Sequence, residues 1–291
     1  MGVLHSEPGL PALYLLVLWS DSPEMRQHEL VKAVDTSLWA RERLHVVCWP
    51  GQGAVAVEQS GLLLTTLGLP DPHLNAAFVS RDALNANPMV RSACSFYHDR
   101  GHAFVLWVPE ESPAAAAVLR ASAAAGLTPV DVEVGMARLV AEQTIDAADR
   151  PATPLGFRVV DDAVTHADFL RVARGFDLDP GLLTHLFPPA LFRAPGAQGL
   201  VAYRDRTPVA ACWLLRTGAV AGLYGVVTAA EHRGRGYARQ LLQHAVGLAG
   251  AWSCSVVVLQ TARAGSVFER IGFRRVCRYT VLVGGGAERQ R

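Results

Sequence analysis

The stretch "VVTAAEHRGRGYARQLLQHA", residues 226–245, sets two arginines and two glycines between a β-branched run and an amphipathic helical pattern. Gly234 and Gly236 leave backbone amides unshielded by side chains. The helix that follows turns the positive end of its dipole toward the same point, so several donors converge there and favour an anion, a phosphate above all. A dinucleotide fingerprint, GxGxxG, fails because its third glycine position is Arg239 and because the preceding strand belongs to an antiparallel meander. The P-loop pattern GxxxxGK[ST] is absent.

The surroundings of the loop are regular. Upstream, "LVAYRDRTPVAACWLLRTGAVAGLYGVVT" alternates β-rich runs with turn clusters at residues 204–208 and 217–218, the pattern of a three-stranded antiparallel meander. Before it, residues 157–162 read as a strand, 165–176 as a helix with Thr165 as N-cap, and 180–187 as a short helix with proline in its first turn. Downstream, Ala238, Leu241, Leu242, Ala245, Leu248 and Ala249 follow the helical period. "SVVVLQ", residues 255–260, is short and uniformly apolar, as a parallel strand covered on both faces is. A last helix carries Ala264, Val267, Phe268 and Ile271 on one face, with Gly272 as its left-handed cap and Phe273 folding back behind it. The chain then runs out as the strand "RRVCRYTVLV" into a frayed Gly-rich tail.

With 291 residues the chain is long enough for two units of about 100 to 200 residues. The polar, proline-containing segment 141–156 is the candidate linker, dividing residues 1–150 from 151–291. In the first half, residues 103–140 read strand, polar link, helix, Gly126-Leu127, strand, the order seen at the end of the second half, and no counterpart of the RGRG loop occurs there. Composition is 51% hydrophobic and 18% charged, which suits a soluble globular protein. A formal charge of +1 offers no global field for nucleic acid or anionic membrane. "PALYLLVLW", residues 11–19, is too short to span a bilayer and lacks the basic flank of a signal peptide, so it reads as a buried strand. The five cysteines form no CxxC pair, which argues against a metal site and fits a reducing cytoplasm; Cys212 and Cys254 read as small buried hydrophobes.

Arg233-x-x-Gly236-x-Ala238, after a strand ending "GVVT" and before an amphipathic helix, resembles the acyl-CoA-binding motif of the GCN5-related N-acetyltransferase (GNAT) family. "DRTPVA" resembles the family's turn before its third strand, "SVFERIGF" its helix ending in Gly-Phe, and the element order of residues 157–283 matches. The resemblance implies an α/β (α+β) GNAT fold with a mixed central sheet flanked by helices, present as two halves in tandem, the first degenerate. It also implies acetyl-CoA (an acyl-CoA) as cosubstrate, no metal, and direct attack by a small-molecule or protein amine in a ternary complex. Arg233, Gly234, Arg235, Gly236, Tyr237 and Ala238 would hold the pyrophosphate, Val226, Val227 and Thr228 would pair with the pantetheine arm, and Phe268 would lie beside the cofactor. The strand 255–260 would splay from the strand before the loop to open the acyl cleft, and the first half would shape or cover the acceptor site.

The chain departs from the family at its acid and base. The carboxylate position falls near Gly222, Phe268 stands where many members have tyrosine, and Thr261 where asparagine is frequent. Tyr224, on the same strand face as Gly222, is the candidate catalytic group, acting through a water. Glu231 and His232 read as solvated; His166, Asp168, Asp177, Asp179 and His185 lie on the acceptor side without forming a pair; Arg263, Arg270, Arg274, Arg275 and Arg278 read as a solvated basic face. Gly222 and Phe268 make a catalytically silent acyl-CoA-binding or assembly protein the rival reading. Homo-oligomerisation is left open.

Overall fold

A computed structural model of the chain describes residues 23–141, 154–262 and 266–285. The apolar run at 11–19, most of the candidate linker, Arg263, Ala264 and the end of the tail lie outside the described residues. The element order is α1 (Pro23–Cys48), β1 (Val55–Gln59), β2 (Leu62–Thr66), β3 (Asn75–Val79), α2 (Ala86–His98), β4 (Phe104–Pro109), α3 (Ala115–Ala124) and β5 (Thr128–Leu139). It continues with β6 (Gly156–Val159), α4 (Ala163–Ala173), α5 (Pro180–Leu186), α6 (Pro189–Arg193), β7 (Ala197–Arg204), β8 (Thr207–Thr217), β9 (Val220–Thr228), α7 (Tyr237–Ala251), β10 (Val256–Thr261), α8 (Ser266–Arg270) and β11 (Arg274–Gly284).

Among the described residues eleven strands form one sheet in the order β1-β2-β3-β4-β11-β5-β10-β9-β8-β7-β6. The meander β7-β8-β9 is antiparallel, as its turn residues dictate. The middle of the sheet is an exchange. β5, from the first half, pairs antiparallel with β10 of the second, and β11, the last of the described strands, pairs antiparallel with β4 of the first. The two exchanged strands also pair with each other, from Arg274↔Ala137 to Val283↔Thr128. Each half therefore supplies a strand–helix–strand whose gap the other half's final strand fills, and no sheet edge is left at the junction. β10 has β9 as a parallel neighbour on one side only; its other neighbour is the antiparallel β5, which its own apolar run could not disclose.

Strand alternation sorts the residues onto two faces. Val257, Leu259, Met136, Ala221 and Leu223 pack with Leu241, Leu242, Ala245 and Ala249 of α7, while Leu62, Leu64, Ala77 and Leu106 pack under α2 and α3. On the opposite face Val256, Val258, Ala137, Phe78 and Cys277 enclose Val34 and Leu38 of α1. There Trp213, Tyr224 and Val227 pack with Phe169 of α4, Leu183 of α5 and Phe192 of α6. Helix α1 thus lies on the sheet with partners from both halves. Leu182 and Leu186 of α5 meet Leu67 and Leu74 of the first half.

Local chemistry explains the boundaries. The N-cap of α4 is Asp162, not Thr165: the Asp162 carboxylate accepts from the Thr165 amide at 2.7 Å and the Thr165 hydroxyl accepts from the Asp162 amide at 3.2 Å, a reciprocal box that starts the helix two residues before Thr165. Asp179 caps α5 by accepting from the amides of Gly181 and Leu182. Gly272 is left-handed at φ 91°, and the Phe273 amide donates back to the Phe268 carbonyl at 3.1 Å, which closes α8 after a single turn.

Candidate active site

β9 and β10 pair only at Val256↔Val220, Val257↔Ala221 and Val258↔Gly222. Beyond Gly222, β9 runs on for six residues held by β8 alone, so its edge toward β10 is free from residue 223 to 228. A bulge at the left-handed Gly225 bends it away. The result is a V-shaped cleft with Val226, Val227 and Thr228 on one wall and Leu259, Gln260 and Thr261 on the other. In the first half, the equivalent parallel pair of β3 and β4 is joined through three of the five residues of β3, and only Val79 of that strand runs on beyond the paired rows. The connection after β3 carries Arg81, fixed by Asp35 and Glu111, where the second half has glycines.

The free wall leads into the glycine loop. After a 3-10 turn at Ala230–His232, Gly234 and Gly236 are both left-handed at φ 75°, and a Cβ built on either would stand in open space. Gly236 is the N-cap of α7; its carbonyl accepts the first helical bond, from Gln240, which leaves the amides of the first turn without intrahelical acceptors. An open cradle of amides at the start of a fifteen-residue helix fits a pyrophosphate. The side chains divide the work. The Arg233 guanidinium turns back to the Thr228 carbonyl at 3.4 Å and the Gly175 carbonyl at 2.5 Å, clamping the loop to the end of α4. Tyr237 is buried and accepts at its hydroxyl from Arg204 at 3.3 Å, so only its amide faces the loop. Arg235 is exposed and Ala238 half-buried at the helix start. Phe268 packs on the α7 face, edge-on to Phe273.

At the fork of the cleft the missing carboxylate has a steric reason. A Cβ on Gly222 would stand 2.1 Å from the Ser37 Oγ and 2.4 Å from the Tyr224 Oη. That space is filled by a buried hydrogen bond of 2.5 Å between Ser37 of α1 and Tyr224. The Arg41 guanidinium lies 5.0 Å from the Tyr224 ring centroid. Burial raises the Tyr224 phenol to about 12, against the opposing charge of Arg41, so it keeps its proton at neutral pH and can donate but not accept one.

Sequence reading missed two residues of the same wall. Gln260 faces α1, as Val256 and Val258 do, and both its amide oxygen and nitrogen are buried without a hydrogen-bond partner. Glu133 reaches the same face on β5: Gly135 points at Val34 of α1, and Glu133 lies two residues before it. The Asp-x-Glu alternation at 131–133 was the available signal, since it puts two carboxylates on one strand face. Of the acceptor-side candidates, the Asp168 carboxylate accepts from the Tyr203 hydroxyl at 2.8 Å, His166 meets the Phe187 carbonyl, and His185 stacks edge-on with Trp49. They are scattered structural contacts, as is the ion pair of Arg275 with Glu269. Among the described residues no group of three His, Cys, Asp or Glu side chains could hold a metal ion, and no helix is long and apolar enough to cross a membrane.

Residues 167–273, which contain the fork, the cleft and the loop, match the family model described as "Acetyltransferase (GNAT) family". This chain carries a GNAT domain. A GCN5-related N-acetyltransferase from Kribbella flavida superposes with a TM-score of 0.66 at 17% identity, covering 86% of this chain and 95% of its own. A tandem GNAT protein from the clavulanic acid biosynthesis pathway superposes at 0.54 and 17% identity, covering 90% and 96%. A protein of unknown function from Staphylococcus epidermidis gives 0.61 at 11% identity, covering 82% and 96%. No curated protein shows significant sequence similarity. At these identities the solved structures show the fold, and because they span both halves, the GNAT architecture takes in the whole eleven-stranded sheet.

Proposed function

We propose that the protein is an N-acyltransferase that uses acetyl-CoA to acylate an amine, by direct attack in a ternary complex, in the cleft of its second half. The observation that carries this reading is the continuity of the free β9 edge with the left-handed glycine loop. One wall offers the free edge of β9 at residues 223–228 for an extended pantetheine arm, and it ends at an amide cradle suited to a pyrophosphate. Acetyl-CoA supplies the activated acyl group. The backbone of Val226, Val227 and Thr228 would orient its arm, the amides of residues 234–238 would hold its phosphates, and Arg233 and Tyr237 would fix the loop by their structural contacts. Tyr224, protonated and hydrogen-bonded to Ser37, would be the proton donor at the fork of the cleft.

The proposal divides the chain into a GNAT-like segment 1–150 and a ligand-binding segment 151–291 that complete each other's sheet, the first covering the acceptor face with α1. Five free cysteines, four of them buried, support a reducing, cytoplasmic setting. Calorimetry with acetyl-CoA tests the reading: one site per chain is expected, together with thiol release on adding a panel of amines. Two equivalent sites, or none, would overturn it.

A further inference from the structure

Gly222 leaves the strand before the loop without a carboxylate, yet an acceptor amine with a pKa of about 10 arrives as an ammonium ion and must lose a proton before it attacks. The exchange of strands brings a carboxylate to the other wall. Register fixes its height in the cleft: Gly222 pairs with Val258, and Val258 with Ala137. Counting outward from that row, Gln260 lies opposite Gly135, and Glu133 stands one step higher, level with the β9 bulge at Gly225 and Val226. At the closed end β5 and β9 are two strand spacings apart, roughly 10 Å, and the splay widens that distance. Glu133 and Tyr224 thus face α1 from opposite walls of the same opening, with the unpartnered Gln260 amide between them.

We propose that Glu133, delivered by the exchanged strand of the first half, is the general base for the acceptor amine in the second half's cleft. The inference rests on the acyl-transfer reading above. The groups facing Glu133 are Asp131 on its own strand, Tyr279 opposite it on β11, whose hydroxyl is held by Asp35 and Arg81, and Arg41 from α1, whose guanidinium is itself paired with Glu42. With Arg41 paired to Glu42 and Arg81 to Asp35, Glu133 and Asp131 leave the opening acidic, which suits a cationic acceptor. Burial first, and then the charge of Asp131, raise the Glu133 carboxyl to about 7 against the pull of Arg41. A base with that affinity is half-deprotonated at neutral pH and accepts a proton readily. The Glu133 carboxylate takes one proton from the ammonium. The freed nitrogen pair forms the C–N bond at the thioester carbon, the C–S bond breaks, and the sulfur leaves as thiolate, taking up the second nitrogen proton directly or through water.

The test compares the parent with Glu133→Gln and Asp131→Asn, reading kcat/KM against pH with two amines of different basicity. It also reads the carboxyl titration of Glu133 by carbon-13 NMR in the free protein. The parent should show a rising limb near pH 7 whose position does not follow the amine. Glu133→Gln should lose that limb and about 10² to 10⁴ in rate, with acetyl-CoA affinity unchanged. Asp131→Asn should move both the limb and the NMR titration to lower pH. An active parent whose Glu133→Gln variant keeps rate and limb overturns the assignment and leaves acyl transfer standing. A carboxyl that titrates below pH 5 overturns it whatever the activity. A parent that binds acetyl-CoA but acylates no amine overturns the acyl-transfer reading, and the base with it.

Discussion

Glycine at 236 and glycine at 222 are both required, for opposite reasons. At 236 there is open space but a left-handed backbone, so Gly236→Val introduces strain and a branched side chain where a phosphate would sit. Calorimetry should show acetyl-CoA affinity reduced at least a hundredfold, while circular dichroism reports an intact fold. At 222 the backbone is ordinary but the space is taken, so Gly222→Ala overpacks the Ser37–Tyr224 contact and should cost about 1–3 kcal/mol in urea denaturation. Adding Tyr224→Phe should recover part of that loss, because it removes one of the two crowding oxygens. Phe268→Tyr adds a hydroxyl to a half-buried ring and should leave affinity unchanged while raising the transfer rate if proton donation to the leaving thiolate limits it. An active parent with no rise would show that another group already supplies that proton. Glu133 should also mark the stability profile. Its folded pKa of about 7 lies above the ordinary 4.5, so the cost of burying its charge is absent below pH 4.5, grows through that window and is complete above 7. Glu133→Gln should therefore be more stable than the parent by ~1–3 kcal/mol at pH 8 and equal to it at pH 4.5, read from denaturant midpoints.

Among the elements, those that read clearly in the sequence are those whose own residues settle them. The α7 stripe, the meander turns and the Gly272-Phe273 cap are local, and each forms within a residue or two of expectation. The start of α4 was misplaced because Thr165 and Asp162 are both capping residues and only their reciprocal bonds distinguish them. α1 gave no periodic signal because it has neighbours on several sides: Val34 and Leu38 meet the strands, Ser37 meets Tyr224, and Asp35 meets Arg81. The exchange of β5 and β11 is a matter of partner choice, since both strands alternate and both would suit an unexchanged sheet equally well. The cofactor loop was legible because glycines and a helix start lie together in sequence; Glu133 was not, because its site is assembled from elements far apart in the sequence, β5, β9, β10 and α1.

For the molecule as a whole, the exchange means that the halves share one sheet. A protease site placed within residues 142–153 should yield two fragments that stay together on size exclusion and separate only in denaturant, and the nicked protein should keep its acetyl-CoA affinity. Fragments that part under native conditions would show that the pairing of β5 with β10 and of β11 with β4 contributes little. The same pairing constrains the moment of synthesis. β4 is complete when residue 109 leaves the ribosome, but the strand that covers its edge begins only at residue 274. For most of translation the nascent first half holds β4 with one edge bare, and β5 waits for both of its neighbours. Emergence of β11, and not completion of the first half, is then the event that closes the sheet. Nascent chains stalled before residue 274 should be held by chaperones or aggregate, whereas chains extended past residue 284 should fold as a single unit.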